Sequence, residues 1–307
     1  MSVHDLFTQR LRDILGEASV QEEEPLCRHT TFRIGGPAQW LVQPGTEEEV
    51  LAVAALCRQA EVPLHLLGSG SNVLVADGGV RGVVLKLADC FAAVTLLEDG
   101  GITAQAGASN AHIAAVAQRA GLTGFEFASG IPGTIGGAVV MNAGAYGGQL
   151  SDVAEWVRCL TPDGDVRCIS AEEARWGYRQ SLMMDEGHLV LEVDLRLRQD
   201  DPAAIQERMD DLSQRREEKQ PLDMPSAGST FKRPEGHFAG KLIQDVGMQG
   251  HRIGGAQVSP KHAGFVVNCG NATAQDVQRL ISAVQERVLA ETGILLEAEV
   301  RQWGFQL

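Results

Sequence analysis

Two glycine clusters are the parts of this sequence best suited to hold an extended polar ligand. Gly68-Ser69-Gly70-Ser71-Asn72 follows the apolar run Leu64–Leu67. Glycines let the backbone approach a phosphate closely, and exposed N–H groups with serine hydroxyls can hold it. The third glycine of a Rossmann fingerprint is missing, because Val73 stands there, and no Gly-Lys-Ser/Thr of a Walker loop occurs. Alone, this loop reads first as a tight turn between strands. The second cluster is Ser129-Gly130-Ile131-Pro132-Gly133-Thr134-Ile135-Gly136-Gly137, continuing to Asn142-Ala143-Gly144-Ala145-Tyr146-Gly147-Gly148. Gly-Thr-Ile-Gly-Gly can present several N–H groups to a pyrophosphate or a heterocycle edge. The competing reading is close packing of helix on strand. Two such loops together point to one nucleotide-like ligand.

The composition bounds the possible partners. The chain has 307 residues, 44% of them hydrophobic, enough for two or three packed domains. With 26 Lys+Arg against 40 Asp+Glu, the net charge is −14, which argues against a nucleic-acid partner. No apolar run approaches the ~18 residues of a membrane span, and the first residues do not form a signal peptide. Cys27, Cys57, Cys90, Cys159, Cys168 and Cys269 are scattered without a Cys-x-x-Cys pair. They read as reduced core residues rather than a disulfide scaffold or a zinc site. The eight histidines form no His-x-x-x-His pair, so no metal site is expected. These features place the protein in the cytoplasm.

The elements that must position the loops are legible in outline. Residues 3–16 have helical spacing. A strand is expected at Gln39–Val42, then a helix started by the Thr46/Glu49 capping box with Val50, Val53, Ala54 and Cys57 on one face. Leu64–Leu67 is a strand. Asp77-Gly78-Gly79, Asp99-Gly100-Gly101 and Pro162-Asp163-Gly164 read as hairpin-type turns. A helix fits 110–120, and 189–198 alternates as a half-buried strand. A charged helix at about 202–218 connects to the last third. There Thr273 caps a helix burying Val277, Leu280, Ile281, Val284 and Val288, and Ile294–Arg301 is expected as a terminal strand. Residues 68–198 therefore suggest a mostly antiparallel α+β region rather than a βαβ array.

With these motifs in their order, the sequence resembles the UDP-N-acetylenolpyruvoylglucosamine reductase family. Thr31-Phe32-Arg33-Ile34-Gly35-Gly36, the two glycine loops, Tyr178-Arg179-Gln180-Ser181, Ser226-Ala227-Gly228-Ser229-Thr230-Phe231-Lys232 and Glu297-Ala298-Glu299-Val300-Arg301 carry the likeness, from about 28 to 303. The resemblance implies an α+β fold. It comprises a two-lobed FAD-binding region of the vanillyl-alcohol-oxidase-like type (about 1–85 and 86–200) and a separate α+β substrate-binding domain (about 201–307). The resemblance leaves open a return of the terminal strand to another lobe. Arg179 and Ser229 are 50 positions apart, leaving no room for the extra substrate-covering segment of some members, so the shorter subclass is expected.

The resemblance also implies a chemistry in two half-reactions. NADPH gives a hydride to non-covalent FAD and leaves. The enolpyruvyl ether then takes a hydride at its vinyl methylene carbon, and the adjacent carbon takes a proton. Ser229 resembles the proton donor, Arg179 the partner of the substrate carboxylate, and Glu299 the acid that stabilises the enol. Spacing alone does not choose between Glu297 and Glu299, which share a strand face. FAD contacts are expected from Gly68, Ser69, Gly70, Ser71 and Asn72, and from Ser129, Gly130, Ile131, Pro132, Gly133, Thr134, Gly136 and Gly137. Tyr178, Lys219, Lys232 and Gln257 are the expected contacts of the UDP-sugar substrate. Arg233 stands where some members have asparagine. No protein partner is implied. The rivals are another flavin oxidoreductase of the same fold and a non-catalytic flavin-binding module.

Overall fold

Helices begin where the sequence supplies a capping hydroxyl. Thr46 Oγ1 accepts from the Glu49 N–H at 3.3 Å and the Glu49 carboxylate accepts from the Thr46 N–H at 3.2 Å, which starts the helix Glu47–Gln59. Thr273 and Asp276 make the same reciprocal pair at 3.0 and 3.1 Å ahead of Ala274–Thr292. That helix stops at Gly293, whose φ of 72° suits glycine. Ser109 caps Asn110–Arg119 by accepting from the His112 N–H.

The computed structural model describes residues 2–98 and 100–305. It divides into two units. One comprises the chain up to Gln21, Trp40–Ser69 and Gly82–Arg215; the other comprises Glu22–Gln39, Gly70–Arg81 and the chain from Arg216 onward.

In the first unit five antiparallel strands lie in the order Val166–Ser170, Ala154–Leu160, Leu189–Arg196, Gly101–Gln105, Val94–Leu96. The Pro162-Asp163-Gly164 turn joins the first two, with Gly164 at φ 97°. The turn expected at Asp99 joins Val94–Leu96 to Gly101–Gln105, although Asp99 itself lies outside the described residues. Ile113, Ala114 and Ala117 of one helix and Ile135 and Val139 of another pack into this unit's core with Ile102, Phe125 and Leu150. The helix that follows the second glycine loop is therefore held by buried apolar surface.

In the second unit Ser226–Ser229, Phe265–Asn268, Ala256–Val258 and Arg252–Ile253 form an antiparallel sheet. The expected face of the helix Ala274–Thr292 is buried beside Phe32, Ile34, Leu74 and Phe231. Among the described residues no helix is long and apolar enough to cross a membrane.

One strand lies outside the sequence expectations, and three expectations need correction. Val20–Pro25 is a strand despite its Gln-Glu-Glu-Glu run; it is the edge of the sheet that continues with Pro37–Val42, Val80–Lys86 and Leu64–Leu67. An edge tolerates charge because one side faces water. Asp77-Gly78-Gly79 is a turn but not a hairpin, because Val73–Val75 pairs in parallel with Arg301–Trp303 and Val80–Lys86 belongs to a different sheet. The terminal strand is only Arg301–Trp303. Residues 294–300 run outside any strand, apart from a single bridge between Ala298 and Phe231. Of the six free cysteines only Cys57 and Cys159 are buried, while Cys90 and Cys168 are exposed. Burial pushes the Cys57 thiol up to about 12 and Cys159 to about 11, so both stay protonated.

Glu126 underpins the second glycine loop. Its carboxylate accepts from Thr123 Oγ1 at 2.6 Å, the Gly124 N–H at 2.7 Å and Arg208, and its carbonyl accepts from Ser129 Oγ at 2.8 Å. Burial pushes this carboxyl up, but the hydrogen bonds outweigh it and hold the group below its ordinary value of 4.5. A depressed carboxyl stabilises the fold above its unfolded value and loses that contribution as pH falls through the folded value. Glu126→Gln is therefore expected to be less stable than the parent at neutral pH, with the gap closing in acid. Urea midpoints at pH 7 and pH 4 check this.

Candidate functional site

In the first unit the two glycine clusters meet. A Cβ on Gly68 would lie 2.3 Å from Thr134 Oγ1, so glycine at 68 is required by the threonine at the head of the helix Ile135–Val140. That helix is anchored through its first amides. The Ile135 N–H donates to Ala108 O at 2.8 Å and the Gly136 N–H to Ala106 O at 2.9 Å. A Cβ on Gly136 would lie 2.8 Å from that of Ala106. The close-packing reading is thus right for Gly136. The reading that several amides of Gly-Thr-Ile-Gly-Gly can face a ligand is narrowed, because those of Ile135 and Gly136 are spent on the protein. The N–H groups of Gly133, Thr134 and Gly137 make no such bond among the described residues and are left for a ligand.

Asn110 was not singled out by the sequence, and it lines the same loop. It is 1% exposed; its N–H donates to Gly133 O at 3.2 Å and its Nδ2 to Ile131 O at 3.3 Å. Its Oδ1 is buried with no hydrogen-bond partner among the described residues. A buried acceptor left unpaired costs about 1–3 kcal/mol, so such an atom marks a place where a donor belongs.

Tyr178 and Arg179 form the tip of a turn closed by Gly177 and Gln180, whose backbones exchange hydrogen bonds of 3.0 and 3.3 Å. Arg179 has φ 56°, the left-handed region, and its guanidinium carbon lies 5.2 Å from the Tyr178 ring centroid. Tyr178 is 55% exposed. A long side chain held where glycine or asparagine is favoured is an observation that points towards function.

In the second unit Ser229 and Glu299 are backbone neighbours. The Glu299 N–H donates to Thr230 O at 2.8 Å, and the Lys232 N–H donates to Glu297 O at 2.8 Å. Asn72 joins them, its Nδ2 reaching Glu299 O at 3.4 Å and its carbonyl accepting from the Arg301 N–H at 3.0 Å. Gly70 could be no other residue: at φ 65° its Cβ would lie 2.2 Å from His29 O. Ser229 owes its exposure to a bulge. Ser226 stands opposite Val267 and Ser229 opposite Phe265, so one strand carries an extra residue, with Gly228 at φ 73°. Bulges break the alternation of side chains and re-aim one of them. Here Ser229 is exposed while Ala227 and Thr230 are buried.

The remaining expected contacts have partners within this unit or are exposed. Lys232 Nζ is paired with the Glu297 carboxylate. Gln257 donates from Nε2 to Gly250 O at 3.0 Å and accepts from Cys269 Sγ at 3.2 Å. Lys219 is exposed in the last turn of the helix Pro202–Lys219. Among the described residues no group of His, Cys, Asp and Glu is arranged to hold a metal.

Comparison with known proteins bears on what this arrangement is. The profile described as UDP-N-acetylenolpyruvoylglucosamine reductase, C-terminal domain, matches residues 220–303, and the FAD binding domain profile matches 38–170. The UDP-N-acetylenolpyruvoylglucosamine reductase of Caldanaerobacter subterraneus subsp. tengcongensis is 47% identical over 300 residues, 98% of this chain and 99% of that protein. This chain belongs to the UDP-N-acetylenolpyruvoylglucosamine reductase family. The reductase of Clostridioides difficile is 45% identical over 304 residues, with 99% of each covered. The crystal structure of the Thermus caldophilus reductase superposes with a TM-score of 0.80 at 38% identity, covering 92% of this chain and 98% of that one. p-Cresol methylhydroxylase shares the fold alone, with a TM-score of 0.51 at 17% identity over 64% of this chain and 43% of that one. The expected fold class, a vanillyl-alcohol-oxidase-like FAD region with a separate C-terminal domain, is borne out.

The residues of the first unit fit FAD. The unpaired Asn110 Oδ1 suits a heterocycle N–H, the Gly137 amide suits a phosphate or carbonyl oxygen, and the tight Gly68–Thr134 approach gives a surface that any added Cβ would fill. Gly68→Ala is expected to force these loops apart. Overpacking of this kind costs about 1–3 kcal/mol, so FAD retention should weaken by about ten- to a hundredfold, read by titrating apoprotein with FAD.

Proposed function

We propose that this protein reduces UDP-N-acetylglucosamine enolpyruvate to UDP-N-acetylmuramate with NADPH, supplying a peptidoglycan precursor. The chain is a flavoprotein oxidoreductase of its family. The observation that supports the reading best is the pairing of an exposed, bulge-presented Ser229 with the Glu299 segment through the Glu299 N–H to Thr230 O bond. Bound FAD supplies the hydride carrier between NADPH and the enolpyruvyl double bond. Gly68–Asn72 and the 129–137 loop, with Asn110, would hold it.

The chain's own groups then handle charge and proton. Arg179 pairs with the substrate carboxylate; its planar fork suits two carboxylate oxygens better than an ammonium would. This fixes the enolpyruvyl group and favours the negative charge that develops as the methylene carbon accepts a hydride. Ser229 Oγ donates its proton to the adjacent carbon. A serine is a weak acid, so it serves only against a strongly basic carbon held close to it. Glu299 stabilises the enol. Tyr178, Lys219, Lys232 and Gln257 contact the UDP-sugar. Lys232 supports this by offering, with Glu297, an ion pair that a diphosphate can reorganise.

The chain works in the cytoplasm, with no nucleic acid, membrane or obligate protein partner, and its product serves cell shape and division. The chain is organised as FAD lobes 1–85 and 86–200 and a substrate domain 201–307. The test is NADPH consumption by the purified protein with and without the enolpyruvyl ether. Consumption that depends on the ether, with a product heavier by two hydrogens, supports the reading. Consumption unaffected by the ether contradicts it.

A further inference from the structure

We propose that Asn142 is a positioning residue for Arg179. The proposal rests on the reading of Arg179 as the carboxylate partner and explains how its turn is held. Asn142 is 3% exposed and sits at φ 40°, a left-handed conformation that asparagine tolerates. Its Nδ2 donates to Gly177 O at 3.0 Å and its Oδ1 accepts from the Ser151 N–H at 3.0 Å. Its own N–H donates to Val139 O at 3.1 Å, which continues the helix Ile135–Val140. The Gly177 carbonyl thus receives two hydrogen bonds, one from the Gln180 N–H across the turn and one from Asn142. Between these anchors stand Tyr178 and the left-handed Arg179.

The other end of the turn is pinned to the same helix. Ser181 is fully buried, and its Oγ donates to Val140 O at 2.7 Å while accepting from the Met184 N–H at 3.3 Å. The short helix that carries Thr134 and the Gly137 amide at its head therefore carries the Arg179 turn at its tail. A six-residue helix with two buried side-chain ties sets the spacing between the glycine loop and the guanidinium. Asn142 touches neither ligand in this scheme; it acts by keeping Gly177, and hence Arg179, in place.

Asn142→Asp keeps the shape and the acceptor for Ser151 but replaces the donor facing Gly177 O with an oxygen. It is examined alone and in an Arg179→Ala background, as FAD-loaded enzyme, with three readouts: flavin reduction by NADPH, KM and flavin reoxidation rate with the enolpyruvyl ether, and thermal midpoint. Misplacing a group by about 1 Å can cost about 10²-fold. The expected result is a KM raised and a reoxidation rate lowered by about ten- to a hundredfold together, with flavin reduction unchanged. In the Arg179→Ala background the second substitution should add nothing. Equal losses in both backgrounds, or no loss in the parent, overturn the proposal. If Arg179→Ala alone leaves KM and reoxidation unchanged, the reading of Arg179 fails and the proposal falls with it. Should Asn142→Asp not fold, Ser181→Ala at the other end of the turn is read by the same criteria.

Discussion

Ser229→Ala is expected to separate the two half-reactions completely. Flavin reduction by NADPH should proceed at the parent rate, and reoxidation by the enolpyruvyl ether should fall by about 10²–10⁴-fold, the usual worth of a positioned proton donor. The fold gives reason to expect so clean a result. Ser229 is exposed beyond the bulge at Gly228, and the neighbouring anchors are backbone bonds that alanine does not disturb: Thr230 N–H to Gly264 O at 2.8 Å and Glu299 N–H to Thr230 O at 2.8 Å. The Thr230 hydroxyl, which accepts from the Val266 N–H at 2.9 Å, also remains. Stability and FAD content should therefore match the parent. Equal slowing of both half-reactions would remove Ser229 from the role of proton donor.

Arg179→Gly is expected to set activity against stability. At φ 56° an arginine costs about 1–2 kcal/mol relative to a residue free of Cβ, while glycine loses about 0.5–1 kcal/mol more backbone freedom on folding. The two nearly cancel, so the thermal midpoint should stay or rise slightly. The turn keeps its Gly177–Gln180 bonds and its Asn142 and Ser181 anchors. The guanidinium is gone, however, and losing one partner of a desolvated charge pair costs about 2–5 kcal/mol. Reoxidation by the ether should drop by about 10²-fold or more. A marked fall in midpoint would instead make Arg179 a structural residue of its turn.

Much of the scaffold was legible because its signals are local. The caps at Thr46 and Thr273 and the apolar stripe Val277–Val288 are read within one helix and appear as expected. The glycine loops were legible as small-residue turns for the same reason. Features set by distant partners were not. The edge position of Val20–Pro25 depends on its place in the sheet, and the parallel pairing of Val73–Val75 with Arg301–Trp303 joins segments more than two hundred residues apart. Gly136 shows the limit most plainly: its composition suggested a ligand surface, but Ala106 of another segment takes its amide. Asn110 gave no signal of its own and Asn142 only its place in the second glycine cluster, since a single asparagine becomes informative only when its neighbours are known. The one hint for Asn110 was that it lies beside a small-residue run.

The central claim is tested most directly by sequential-mixing stopped flow on the FAD-loaded protein under anaerobic conditions. NADPH is added first and the UDP-linked enolpyruvyl ether second, with flavin absorbance recorded throughout. Bleaching by NADPH followed by rapid recolouring on addition of the ether is the predicted result. Bleaching that persists in the presence of the ether would contradict the assigned substrate while leaving the flavin fold in place.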